Sequence, residues 1–181
     1  MWLHVSLRDA SGRLLFESGA IDPDGRIAGN DADADSGGFE PHYDEITRGD
    51  QVQIYESVMQ DRSGKPTTGL LQAVAFAKDN RLLPRGFDKS TAEADIAVHG
   101  SASIDSDFVG GGDRVRYRIP TGGAAGPFVA GVELRYQPIA YRWAHNLAAY
   151  DAPEPKRFVS YYQQLAPAAS TVLTQAAARI D

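Results

Sequence analysis

The stretch GPFVAGVELRYQPI, Gly126 to Ile139, decides the fold class. Phe128, Ala130, Val132, Leu134 and Tyr136 fall on one side of an extended segment, while Glu133 and Arg135 fall on the other. A period of two is what a half-buried strand requires, because successive side chains point to opposite faces. WLHVSLRD at the start of the chain repeats the pattern, with Leu3, Val5 and Leu7 against His4, Ser6 and Arg8. DASGR then reads as a turn and LLFESG as the returning strand of a hairpin. Val52, Ile54 and Val58 mark a further strand in QVQIYESVMQD, and Val115, Tyr117 and Ile119 mark one in DRVRYRIP. LLQAVAFAKD leans toward strand through Val74 and Phe76, and ADIAVHGSASID carries Ile96, Val98 and Ile104.

Gly and Pro punctuate nearly every junction, and no helical segment separates these strands. Parallel neighbours in one sheet need long crossovers, usually helices. The expectation is therefore a mainly β fold over residues 1–140, a β-sandwich of jelly-roll or Ig-like type. Composition changes near Tyr141. YRWAHNLAAY suits a short helix, and Pro153 and Glu154 suit a helix start before KRFVSYYQQL, where Phe158, Tyr161, Tyr162 and Leu165 recur at helical spacing. Val172, Leu173, Ala176, Ala177 and Ile180 then read as one apolar stripe of a last helix. Residues 141–181 are thus expected to form an α-helical extension packed on the sandwich.

Totals exclude several function classes. At 181 residues the chain is long enough to bury a core without staples. A net charge of -6 with scattered Lys and Arg argues against nucleic acid, whose phosphates select clustered basic residues. No apolar run approaches the ~20 residues of a membrane-spanning helix. WLHVSL directly after Met1 reads as strand rather than as a leader peptide. With no cysteine, the chain forms no disulfide, thiolate metal site or Cys nucleophile, and this choice of residues is neutral about compartment.

Asp22, Asp24, Asp31, Asp33 and Asp35 form the candidate metal set. Hard oxygen donors at close spacing among glycines suit Ca²⁺. DADAD places carboxylates as the first half of an EF-hand loop does, but Ser36 stands at position 6 and His42 at position 12. The alternative is a solvated acidic loop, since Asp, Gly, Asn and Ser are turn residues. Glu40, His42, Asp44 and Glu45 in FEPHYDEI offer imidazole and carboxylates to a transition metal. Against this stands a role for Pro41 and Tyr43 in steering the chain from loop into sheet. In KDNRLLPRGFDK, Asp79 and Asn80 suit a turn and Arg81 an internal carboxylate pair. IDSDFVGGGD gathers Asp105, Asp107 and Asp113 around glycines without a P-loop ending. No GxSxG elbow is present, and no residue is assigned a catalytic role.

LLFESGAIDPDGRI, FEPHYDEI, QVQIYE, KDNRLLPRGFDK, DFVGGGDRVRY and LRYQPIAYRW, taken in order, resemble a β-rich domain found toward the C-terminal end of multihaem c-type cytochromes and related exported bacterial proteins. The resemblance implies a periplasmic or extracellular setting and a haem-bearing neighbour, although this chain has no CxxCH. The expected function is accordingly that of a non-catalytic accessory or interaction domain, docking a protein partner or an adjacent haem-bearing domain. The alternative is a carbohydrate- or small-ligand-binding jelly roll supported by Ca²⁺, the one cofactor the residues suggest.

Overall fold

The computed structural model describes residues 1–181. Strands hold 29% of the chain and helices 17%. In chain order the elements begin with β1 (Trp2–Arg8), β2 (Leu14–Ser18), the one-turn helix α1 (Asp31–Ala34) and β3 (Glu45–Ile46). They continue through β4 (Ser57–Gln60), β5 (Pro66–Thr67), β6 (Ala75–Asp79), β7 (Arg116–Tyr117) and β8 (Phe128–Tyr136). The chain closes with α2 (Tyr141–Leu147), α3 (Pro153–Leu165) and β9 (Thr171–Ile180). Three sheets result: an antiparallel one ordered β2-β1-β8-β9, a parallel pair β3-β7, and β5-β4-β6. No helix is long and apolar enough to cross a membrane.

The alternating segments at each end of the β region meet in the four-stranded sheet. Val5 lies opposite Val132, Leu7 opposite Ala130 and Leu3 opposite Leu134, so the apolar sets of β1 and β8 share one face. Register is set by this match, because a slip of one residue would turn each set toward water. Onto that face pack Ile46 from β3 and Tyr117 from β7, around Val5, Leu7 and Phe16. Phe16 and Tyr117 meet edge to face at 6.2 Å. Two further apolar groups flank this one, Trp2 with Ile27, Val52 and Ile54, and Tyr55 with Ala102 and Phe108.

One piece of turn chemistry is used three times. Asp9–Arg13, Asp22–Arg26 and Asp61–Lys65 share the order Asp, any residue, Ser or Asp, Gly, then Arg or Lys. In each, the Asp N–H donates to the carbonyl of the last residue and the Gly N–H donates back to the Asp carbonyl. Gly12, Gly25 and Gly64 sit at φ 84°, 88° and 81°, the left-handed region that glycine enters without steric cost. At Asp9 and Asp61 the carboxylate also accepts two backbone N–H groups of its own turn, bracing the hairpin from inside.

The helical extension is helical only in part. α2 and α3 form where expected, with Pro153 at the start of α3, where a missing N–H costs nothing. Residues 171–180 are a strand, and the expectation of a last helix is corrected. Val172, Leu173, Ala176, Ala177 and Ile180 satisfy a helical period, but β8 presents a free edge along its length, and β9 pairs with it from Phe128↔Ile180 to Tyr136↔Thr171. A ladder that long outweighs the helix preference of three alanines. Tyr161 and Leu165, two of the residues that recur at helical spacing in α3, are 58% and 64% exposed. ADIAVHGSASID forms turns and a 3₁₀ segment, Ser101–Ser103, rather than a regular strand. Its one ladder contact is His99 with Asp79.

Trp2 is 1% exposed, and its indole N–H donates to the Gly19 carbonyl at 2.8 Å. Replacement Trp2→Ala removes a large buried ring and orphans an acceptor. Chemical denaturation should show a loss of about 3–5 kcal/mol with an unchanged m-value.

Candidate functional site

FEPHYDEI supplies the centre of a buried polar network. The His42 side chain is 1% exposed and accepts at Nδ1 from Gln53 Nε2 at 2.9 Å and from Asn80 Nδ2 at 3.0 Å. Both amides are oriented by backbone partners. Gln53 Oε1 accepts from the Tyr43 N–H, Asn80 Oδ1 accepts from the Glu56 N–H, and Asn80 Nδ2 also donates to the Ile54 carbonyl. With donors fixed on Nδ1, the neutral ring carries its proton on Nε2. That N–H donates to Asp105 Oδ2 at 3.0 Å, with Asp113 Oδ1 at 3.7 Å. Phe108 packs edge-on against the ring at 4.9 Å.

Asp113 is held with equal care: Tyr55 Oη donates to it at 2.6 Å, Gln53 at 3.3 Å and the Arg114 N–H at 2.8 Å. Burial, aided by Asp113, pushes the Tyr55 phenol upward and keeps it a donor. Glu40, fully buried, accepts from the Asp31 and Val52 N–H groups and from Tyr43 Oη. Lys78, also buried, donates to the Ile54 carbonyl at 2.8 Å and to Glu56 at 3.3 Å, and desolvation lowers its pKa. Arg81 pairs with Asp79 through two nitrogens, at 2.9 and 2.6 Å, as its place in the loop suggests. Buried polar groups survive when every valence is met, and here nearly all are.

At the solvent edge of this network four carboxylates converge. Ligand atoms of His42, Asp44 and Asp105 lie within 4.8 Å of one another, as do those of Asp105, Asp107 and Asp113. The neighbouring Asp105 carboxylate, then burial, raises the Asp44 carboxyl above its ordinary range. Burial alone would raise Asp105 as well, but the Asp107 N–H, His42 and Asp44 outweigh it and hold Asp105 low. Lys89 braces the same loop by donating to the carbonyls of Ala102 and Asp105. Because the His42 proton sits on Nε2, the donors left for an ion are carboxylate oxygens, a set suited to a hard cation rather than to zinc. His42 itself has both ring nitrogens engaged, so its geometry is that of a clamp rather than of a general base.

The five aspartates expected to bind metal are dispersed. Asp22 and Asp24 belong to one of the repeated turns, where Asp24 lies 3.9 Å from Arg26. The DADAD run coils into α1 behind an Asn30 cap, whose Oδ1 accepts from the Ala32 N–H. Residues two apart on a helix diverge, so Asp31 faces water while Asp33 turns inward and is 8% exposed. Asp33 Oδ2 accepts from the Ile27 N–H at 2.9 Å, and Asp35 accepts from the Gly37 N–H. No three of the five bring ligand atoms together. Nor is the acidic segment a loose appendage, since Arg142 of α2 donates to the carbonyls of Ser36 and Gly38. Of the aromatic residues a sugar-stacking face could use, Trp2 and Tyr55 are buried, whereas Tyr136 at the end of β8 and Trp143 in α2 are exposed.

No family model matches this chain, and neither a curated protein nor a solved structure does so.

His42→Ala would strand two oriented amides and a buried carboxylate. Calorimetry should record a loss of about 3–5 kcal/mol, whereas Asp44→Asn, at an exposed position, should cost less than about 1 kcal/mol. A second test concerns Asp33, whose pKa burial raises above the ordinary 3.8. A raised folded-state pKa contributes stability below the unfolded value, and this is lost as pH rises through the folded one. Asn at this position can keep the bond from Ile27. Stability measured across that range should therefore move in favour of Asp33→Asn as pH rises to 7, and parallel curves would refute it.

Proposed function

We propose that this chain is a non-catalytic interaction module of an exported protein, and that it engages a protein partner by strand addition at β9. One observation carries the reading: all ten residues of β9 are exposed, and its sole neighbour is β8. Strand addition supplies main-chain bonds from a ready row of donors and acceptors. Natural sheets blunt such edges with charges, prolines or covering loops. The opposite edge, β2, is treated in that way, because Gly49 lies so close that a Cβ there would stand 2.5 Å from the Glu17 carbonyl. β9 has no such cover. Residues 171–178 hold no charge, no Pro and no Gly.

The buried network supports the non-catalytic part of the reading, since His42 spends both nitrogens on fixed partners. The sandwich is likewise our inference: the four-stranded sheet forms one layer and the two smaller sheets the other, a reading supported by the packing of Ile46 and Tyr117 on Val5, Leu7 and Phe16. Export and a haem-bearing neighbour in the parent protein are the setting that the sequence resemblance suggests.

A photo-crosslinking residue placed at Ala177, on the exposed edge strand, tests the function. Irradiation in the producing cell should yield a protein adduct from Ala177 and none from Leu71, which is also exposed and lies far from the edge in sequence. Equal yields, or none from either position, would overturn the reading.

A further inference from the structure

We infer that the partner at β9 is a second copy of this chain, paired antiparallel about Ala177 to make one continuous eight-stranded sheet. The inference rests on the reading of β9 as a docking edge and identifies what covers it.

The pairing follows from register. β9 is regular from Thr174 to Ile180, with the irregularity confined to the Leu134/Arg135 step of its ladder with β8. Over that regular part, Thr174, Ala176, Ala178 and Ile180 lie opposite Leu134, Val132, Ala130 and Phe128, the core face of the sheet. Gln175, Ala177 and Arg179 occupy the other face, opposite Glu133, Gly131 and Val129. A two-fold axis normal to the sheet must pair residues of the same face, because directly opposed side chains share a face. Centring that axis on Ala177 meets the condition at every position. Ala177 opposes itself, Ala176 opposes Ala178, Gln175 opposes Arg179 and Thr174 opposes Ile180.

Each of these pairs is chemically compatible. The three central alanines let the two backbones approach without a clash. Thr174 and Ile180 form a β-branched pair on the core side, twice over by symmetry. Arg179 meets the Gln175 amide oxygen rather than another cation, and its one side-chain contact within the chain is the exposed Asp181 at 3.3 Å. No like charges oppose one another. No backbone group of Thr171–Ile180 takes part in any main-chain bond outside the ladder itself, so the outward row is free to pair.

Symmetry also explains why this edge can stay uncharged. In the four-stranded sheet β9 is the edge left bare, since Gly49 crowds β2 at Glu17, so pairing two copies through β9 uses both bare edges of that sheet. The product is a closed dimer rather than a growing fibre. Val129, Val172, Leu173 and Ile180, each 39–50% exposed in a single copy, lie along or beside the join. Contact between the two copies there removes apolar surface from water in addition to the main-chain bonds.

Sedimentation and light scattering on the full chain test this directly. The wild type should behave as a dimer in the micromolar range. Ala177→Lys sets two ammonium groups against each other at the axis and should raise the dissociation constant at least about tenfold. Ala177→Glu should do the same. Ala177 is exposed, so circular dichroism and melting of the two separated variants should match those of a monomeric chain. Mixing the two variants should restore a dimer holding one copy of each, a result that a merely misfolded variant would not give. A folded wild type that stays monomeric throughout overturns the self-pairing, as does failure of the mixed pair to associate. The crosslinking experiment at Ala177 separates the two levels of inference. An adduct of twice the chain mass supports self-pairing, an adduct with a different protein overturns it while leaving the interaction module standing, and no adduct overturns both.

Discussion

The His42 imidazole ties together segments that sequence holds far apart. Its Nδ1 gathers Gln53, from the stretch before β4, and Asn80, from the end of β6, while its Nε2–H reaches Asp105, 63 residues away. A ring in that position has no slack. Each amide is itself anchored on backbone, so the donors arrive already oriented, and the ring's tautomer follows from them. Remove the ring and three buried polar groups lose a partner together, which is a larger loss than one hydrogen bond. The apolar clusters on either side are small, of three or four fully buried residues each, so the polar network is what joins them into one interior.

The same arrangement explains how four carboxylates can crowd one loop cluster. Asp113 is neutralised in effect by three donors and Asp105 by His42 and the Asp107 N–H, while Asp44 stands exposed at the rim, where water screens it. Repulsion is thereby distributed over fixed dipoles and, at Asp44, left to solvent. Those carboxylates are the ones the fold brings together, in place of the aspartates that stand close in sequence. Proximity along the chain counts for little when a single helical turn sends Asp31 and Asp33 in opposite directions.

The sheet changes character between its centre and its β9 edge. Around β1 and β8 it is cemented by matched apolar faces and by Trp2. At β9 it runs out into water with small uncharged side chains. An edge of that kind is costly for a lone chain and useful for an assembly, and this contrast is what links the fold to the interaction role proposed for it.

Alternation in β1, β2 and β8, the turn at Asp9–Arg13, and the helices α2 and α3 were legible from residue type alone, because each depends on neighbours within a few positions. The Arg81–Asp79 pair belongs to the same class, being two residues apart. The role of β9 was not legible. TVLTQAAARI carries a helical stripe and a strand alternation at once, and only the free edge of β8 chose between them. Nor could the sequence show that His42 and Asp105 would meet, or that the DADAD run would fold inward, since loop closure over many residues leaves no periodic trace. Local geometry and turn chemistry determined the elements; which edges pair, which acids converge and which face stays bare were decided by the packing of segments distant in the chain, where burial and hydrogen-bond satisfaction set the outcome.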